Sequence, residues 1–322
     1  MNLPPAFLRA IRAVFGERGN DWLSQLPSLI AEASLRWGLR DAQPVPNLSY
    51  NFVAFATRPS TSWRFQRHSA QDEVILKIGV PNRELTSEIN ALKYFDGEGA
   101  CQLIDCDEEK GFLLIERLKP GTMLASLEDD DERTHIAMDV MARLWASGLD
   151  TSREDHAGLF DQKYLPSKFI QLKDWFEGLK EIRPTFNGGT GPIPEKIFER
   201  VEAQLPDLFA DEDICLMHGD FHHYNILSSE RGWLVIDPKG VIGPAGYEIG
   251  PLMLNPWMKP MDRIQFKVQT VRRVDILRER TGWAREKIIG WALAHSVLSA
   301  YWDLELDPVY PIEAARVFTE IE

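Results

Sequence analysis

Met217-His218-Gly219-Asp220-Phe221-His222-His223-Tyr224-Asn225-Ile226-Leu227, followed shortly by Trp233-Leu234-Val235-Ile236-Asp237-Pro238, decides how this chain is read. Polar residues here sit between apolar strand-like runs. Such a loop holds a few side chains rigidly while leaving them open to a cleft, as a catalytic constellation requires. Asp220 and Asn225 are five positions apart, and Asp237 ends the next short strand. Phosphoryl transfer needs this set, because a hydroxyl must be oriented and the charge on a moving phosphate neutralised. Asp220 is therefore expected to be the base that accepts the substrate hydroxyl proton. Asn225 and Asp237 are expected to offer hard oxygens to Mg2+ on the ATP phosphates.

Outward from that loop the pattern divides in two. Pro4 to Phe15 and Asp21 to Leu39 place apolar residues at helical spacing, with Asp21 as an N-cap, and predict two leading helices. Asn51 to Thr57, Trp63 to His68 and Glu73 to Val80 predict a small antiparallel sheet, and Asn82 to Phe95 a helix. Ala100 to Cys106 and Gly111 to Leu118 read as a hairpin around the acidic turn Asp107 to Lys110. The remainder is mostly helical: Asp131 to Trp145, Pro166 to Leu179, Pro194 to Leu208, Met261 to Arg280, Arg285 to Trp302 and Pro311 to Glu320. The expected class is α+β, with a mixed lobe at 1–118, a mostly helical lobe at 119–322 and a ligand cleft between them. Lys77 lies inside the apolar strand Val74-Ile75-Leu76-Lys77-Ile78. A lysine there is costly unless its ammonium meets an anion, which a nucleotide phosphate and Glu88 of the next helix can provide.

The strand lysine, Glu88 in Ser87-Glu88-Ile89-Asn90-Ala91-Leu92, the segment Leu113-Leu114-Ile115-Glu116-Arg117-Leu118-Lys119-Pro120-Gly121, the His218-Gly219-Asp220 loop with Asn225, and Asp237 resemble the aminoglycoside phosphotransferase family. Within it the match is to the streptomycin kinase and hydroxyurea-resistance kinase branch. It covers roughly Leu48 to Leu254, with an echo in Tyr301 to Glu305. The resemblance implies a protein-kinase-like fold with ATP between the lobes, Asp220 as base, Asn225 and Asp237 as metal ligands, and Lys77 with Glu88 as a phosphate-orienting ion pair. It further implies adenine on the backbone of Ile115, Glu116 and Arg117, His218 as a brace for the loop, and Glu248 bonding that loop from beneath. Two departures stand out. No G-x-G-x-x-G cover is present, and Asp237 is followed by Pro238-Lys239-Gly240. Asn47 to Asn51 is expected to replace the cover, with Ser49 and Asn51 donating to phosphate.

Trp302 and Glu305 suit an amino or guanidino acceptor, although a core tryptophan and a surface glutamate fit the pattern equally well. His218, His222 and His223 match no zinc spacing. The acidic run Glu128 to Glu132 is expected to be a solvated helix N-terminus. With 36 Lys and Arg against 49 Asp and Glu, the net charge of -13 argues against a general nucleic-acid binder and suits a cationic or metal-bridged small ligand; the resemblance implies a small cationic or hydroxylated substrate. Cys101, Cys106 and Cys215 form neither a metal pair nor an even disulfide framework and are expected to be buried or half-buried thiols in a reducing, cytoplasmic setting. Neither a secretory leader nor a membrane span is expected, and the oligomeric state is unspecified, a monomer being the default. The leading expectation is a kinase of an aminoglycoside or hydroxyurea-type hydroxyl; the alternatives are an amino-alcohol or sugar kinase of the same fold, and a nucleotide-binding regulatory module.

Overall fold

The structure, a computed structural model, describes residues 3–59, 71–146, 168–210, 213–258 and 260–321. The chain opens with α1 (Pro5–Trp37), which lies across an antiparallel sheet in the order β1-β2-β3-β5-β4. Its strands are β1 (Arg40–Pro44), β2 (Phe52–Pro59), β3 (Gln71–Ile78), β4 (Leu103–Asp107) and β5 (Phe112–Glu116). Alternation with period two gives the sheet two faces. Phe52, Ala54, Leu76, Ile78 and Phe112 pack with Phe7, Ile11, Trp22 and Leu26 of α1. Ile75, Leu113 and Ile115 turn the other way, toward Leu85, Ile89 and Leu92 of α2 (Arg83–Phe95). Lys77 is two residues from Ile75, so it shares that inner face. The Asn82 side chain caps α2 by accepting from the Leu85 N–H at 2.8 Å.

Two expectations about this lobe are corrected. The leading helices are one helix broken at Gly16, whose φ of 56° and ψ of -129° no helical residue adopts. Asp21 consequently lies inside the resumed helix and caps nothing: no breaker separates it from the kink. Strand β1, too polar to announce itself, pairs antiparallel with β2 at the sheet edge. The strand expected over Trp63 to His68 falls outside the described residues.

After β5 the chain leaves the first sheet. Strand β6 (Pro120–Met123) joins a second sheet in the order β10-β9-β6, with β9 (Ile226–Ser229) and β10 (Gly232–Val235). A third sheet, β7-β11-β8, comprises β7 (Ile170–Gln171), β8 (Ile214–Met217) and β11 (Val241–Pro244). Around them stand α3 (Asp130–Ala146), the short α4 (Leu172–Glu177) and α5 (Ile182–Thr185), α6 (Glu195–Phe209), α7 (Ile249–Leu254), α8 (Arg263–Thr281), α9 (Arg285–Trp302) and α10 (Val309–Glu320). Every residue of α9 from Ile288 to Ala300 is buried, so this helix is the axis of the larger lobe's core.

The helix expected over Pro166 to Leu179 is replaced in its described part by β7, α4 and a 3-10 turn, because Ile170 pairs with Val241 in a strand too short for periodicity to reveal. The acidic run is not simply solvated. Asp129 accepts from the Asp131 and Glu132 amides, but Asp130 is mostly buried between Arg133 and Arg273, 2.7 and 2.6 Å away. The cysteines are free, Cys101 buried and the other two half-buried. Among the described residues, no helix is long and apolar enough to cross a membrane.

Candidate active site

Strand β8 ends at Met217 and delivers His218, Gly219 and Asp220 into a loop that two buried groups hold still. Glu248, fully buried, accepts the His218 N–H at 2.8 Å on one oxygen and the Gly219 N–H at 2.9 Å on the other. Burial pushes its carboxyl up to about 8, against those two amides, which pull it down. The His218 ring is also fully buried, with Nε2 2.9 Å from the Ile236 carbonyl and Nδ1 3.2 Å from the Asp220 N–H. These contacts match one neutral tautomer: Nε2 donates to the carbonyl and Nδ1 accepts from the amide. Burial takes its pKa down to about 4, so the ring stays neutral at ordinary pH.

Asp220 follows with its side chain 37% exposed. Burial raises its pKa, but His222, Lys239 and His218 outweigh this and hold it below the usual carboxylate value. His222 Nε2 is 3.5 Å from Asp220 Oδ1. Asn225 donates its Nδ2 to the Asp220 carbonyl at 3.0 Å, which reserves the side-chain oxygen for another partner. Two strands later the Ile236 N–H donates to the Asn225 carbonyl at 2.9 Å, placing Asp237 beside the loop.

Asp237 adopts φ 60°, a left-handed conformation uncommon outside glycine and asparagine. That turn sends the Lys239 and Gly240 amides back to the His218 carbonyl, at 2.7 and 3.3 Å. Asp237 Oδ1 meets Lys77 Nζ, which also bonds both oxygens of Glu88, at 2.6 and 2.7 Å. Lys77 and Glu88 are almost wholly buried, whereas 39% of the Asp237 side chain is open. Desolvation alone would discharge Lys77, but the charges of Asp237 and Glu88 exceed it and hold the ammonium above its ordinary value. Asp237 is in turn held well below the carboxylate range, burial being overcome by Lys77 and Lys239. Lys239 Nζ stands 3.9 Å from its other oxygen.

The structure thus brings Lys77, Glu88, Asp220, Asn225 and Asp237 to one place, with His218 and Glu248 beneath. Ile75, Ile115 and Leu118 from the smaller lobe, and Leu227, Leu234 and Ile236 from the larger, form an apolar cluster beside Lys77. The Glu116 N–H is spent on the Gln102 carbonyl at 2.9 Å, and its carboxylate receives Gln102 and Arg231. Arg117 bonds Glu73 at 3.0 Å and covers the Phe55 ring at 4.3 Å. Ser49 is exposed in the loop between β1 and β2, and Asn51 immediately precedes β2 with Oδ1 against Gly79. Trp302, 46% exposed, joins an aromatic wall with Trp175 and His295, with ring centroids 5.4 and 6.4 Å away, and His295 Nδ1 is 3.0 Å from the Tyr247 hydroxyl. Glu305 is exposed on the turn beyond.

Lys239, His222, Tyr247 and His295 were not legible as parts of this site. Lys239 left one usable signal, a cation two residues after the metal-ligand candidate; the others depend on packing. Among the described residues no three His, Cys, Asp or Glu side chains cluster tightly enough to hold a metal alone. The Asn225 side-chain oxygen and the part-exposed Asp237 carboxylate are hard oxygens of the kind that suits an ion carried in on phosphates.

The profile of the Aminoglycoside/hydroxyurea antibiotic resistance kinase family matches residues 47–306. The streptomycin 6-kinase of Streptomyces griseus is 27% identical over 310 residues, covering 95% of this chain and 92% of that protein. The hydroxyurea phosphotransferase of Kitasatospora aureofaciens is 30% identical over 298 residues, 90% of this chain and 76% of that protein. Among solved structures, a choline kinase from Streptococcus pneumoniae superposes with a TM-score of 0.57 at 14% identity, covering 92% of this chain and 98% of that one, a likeness of fold. Two lobes meet at a buried lysine, as in protein kinases, and with that fold and this match over most of its length the chain belongs to the aminoglycoside/hydroxyurea antibiotic resistance kinase family, whose members are ATP-dependent phosphotransferases.

Proposed function

We propose that the protein transfers the γ-phosphate of ATP to a hydroxyl of a streptomycin-like aminoglycoside, or of a hydroxyurea-type compound. The observation that carries this reading is the grip on Lys77 by Glu88 from one lobe and Asp237 from the other, beside the open Asp220 carboxylate. Purine would lie in the apolar cluster around Ile75, Ile115 and Leu227 and bond the backbone between Ile115 and Arg117. Lys77 would draw in the phosphates, Ser49 and Asn51 would cover them from the loop between β1 and β2, and the boundary between lobes would run at Leu118. Magnesium bound with the nucleotide would neutralise phosphate charge, and Asn225 and Asp237 would hold it.

Asp220, ionised at neutral pH, takes the acceptor's hydroxyl proton as that oxygen forms its bond to the γ-phosphorus and the bond to the ADP oxygen breaks. Glu248 and His218 keep its backbone aligned without touching substrate. Trp302 and Glu305 would face the acceptor, where an aromatic ring and a carboxylate favour cationic groups, in keeping with the acidic chain. The free thiols and the need for ATP suit the cytoplasm. The test is incubation of the purified chain with ATP, Mg2+ and either streptomycin or hydroxyurea, with mass spectrometry of the acceptor. A gain of one phosphate on either is expected; ATP turnover that leaves both unmodified sinks the assignment.

A further inference from the structure

Ser87 immediately precedes Glu88 on α2 and is wholly buried. Its hydroxyl donates to the Gly240 carbonyl at 2.6 Å and accepts the Ile170 N–H at 3.1 Å. Gly240 lies three positions after Asp237, and Ile170 belongs to β7 of the larger lobe, paired with Val241. One oxygen therefore ties the helix bearing Glu88 to the loop bearing Asp237 and to a strand beneath both. Gly240 has φ 67°, and a Cβ there would stand 2.5 Å from the Ser87 carbonyl, so only glycine permits this approach. Two neighbours extend the seam: Asn90, nearly buried, donates to the Lys168 carbonyl at 3.1 Å, and Arg83 bonds Asp174 at 3.1 Å.

We propose that Ser87 is a positioning residue that latches α2 to the larger lobe, so that Glu88 meets Lys77 and Asp237 before nucleotide arrives. Loss of the hydroxyl leaves a buried carbonyl and a buried amide without their partner, and α2 relieves them by moving away, taking Glu88 from Lys77. The latch rests on the reading of Lys77 and Glu88 as the nucleotide grip.

The experiment measures binding of the Mg2+ complex of the ATP analogue AMP-PNP by calorimetry, which needs no acceptor, and thermal melting of each protein. Full-length wild type, Ser87→Ala, Glu88→Gln and the double variant are compared. Each single variant is expected to bind about tenfold more weakly, the equivalent of one hydrogen bond. The double variant should be no worse than Glu88→Gln, because Ser87 acts through Glu88. Losses that multiply in the double variant overturn the latch, as does wild-type binding by Ser87→Ala beside an impaired Glu88→Gln. Wild-type binding by Glu88→Gln overturns the grip and the latch with it. If Ser87→Ala does not fold, Ser87→Cys, which is slightly larger and a much weaker donor, carries the same comparison.

Discussion

Asp220 and Asp237 are both carboxylates held ionised in the folded protein, yet their surroundings give them different work. Asp220 is anchored through its backbone, by His218 and Asn225, and its side-chain Oδ1 lies 3.5 Å from the His222 ring. A residue arranged in this way can be changed without disturbing the nucleotide grip. Asp220→Asn is expected to lower turnover by about 100- to 10,000-fold while nucleotide affinity stays within a few-fold, read from kcat and from direct AMP-PNP binding; unchanged kcat removes it as the base. Asp237 is locked to Lys77 through its side chain. Asp237→Ala should therefore weaken Mg-nucleotide binding by tenfold or more, and the Mg2+ dependence of binding should flatten; a normal Mg2+ titration argues against its ligand role. Glu88 and Asp237 converge on Lys77 from separate lobes, so neither variant is equivalent to deleting the lysine.

At the level of elements, the sheet and α9 carry complementary tasks. The alternation of β2, β3 and β5 sets Lys77 on the inner face while α1 seals the outer one. The core helix α9 rises through the larger lobe and ends at Trp302, so the acceptor wall proposed above would stand at the half-exposed tip of a buried helix. His295, nearly two turns earlier, meets Tyr247 next to Glu248. Because only its tip is exposed, Trp302→Ala should raise the acceptor KM by about three- to tenfold with little change in ATP affinity or melting temperature. An equal loss in ATP affinity would show that the tip supports the fold and does not touch the acceptor. These elements were unevenly legible. The long amphipathic segments and the hairpin strands show in the pattern, whereas β1, β6 and β7 are short or polar and exist only because partner strands wait for them. The stretch at Pro166 to Leu179 misled for the same reason: a two-residue strand has no period to detect.

For the molecule as a whole, burial of neutral imidazoles sets the response to acid. His218 and His295 are each held down at about 4 by burial, and His223 is pushed well below its usual value. Between pH 6.5 and about 4 the unfolded chain binds these protons and the folded chain does not, so stability is present above that window and lost as pH falls through it. Glu248 acts in the opposite sense: raised to about 8, it keeps a proton in the fold that the unfolded chain has released, and so costs stability as pH rises from about 4.5 to 8. Glu88, also raised by burial, acts in the same sense as Glu248, so three groups against two give a net loss toward acid. The melting temperature is expected to fall between pH 6.5 and 4.5, and His295→Gln should reduce that slope; a flat profile contradicts the buried neutral histidines. The spacing of Asp220, Asn225 and Asp237, the lysine within an apolar strand, and the two-part pattern of the chain were determined by sequence alone, since each depends on local order and residue type. The convergence of Lys77 with Asp237, 160 positions away, the seat of Lys239, the double bond from Ser87 and the aromatic wall at Trp302 were decided only by the tertiary structure. The physical reason is range: a strand or helix advertises its own period, whereas two side chains from distant segments meet only where packing has brought their backbones together.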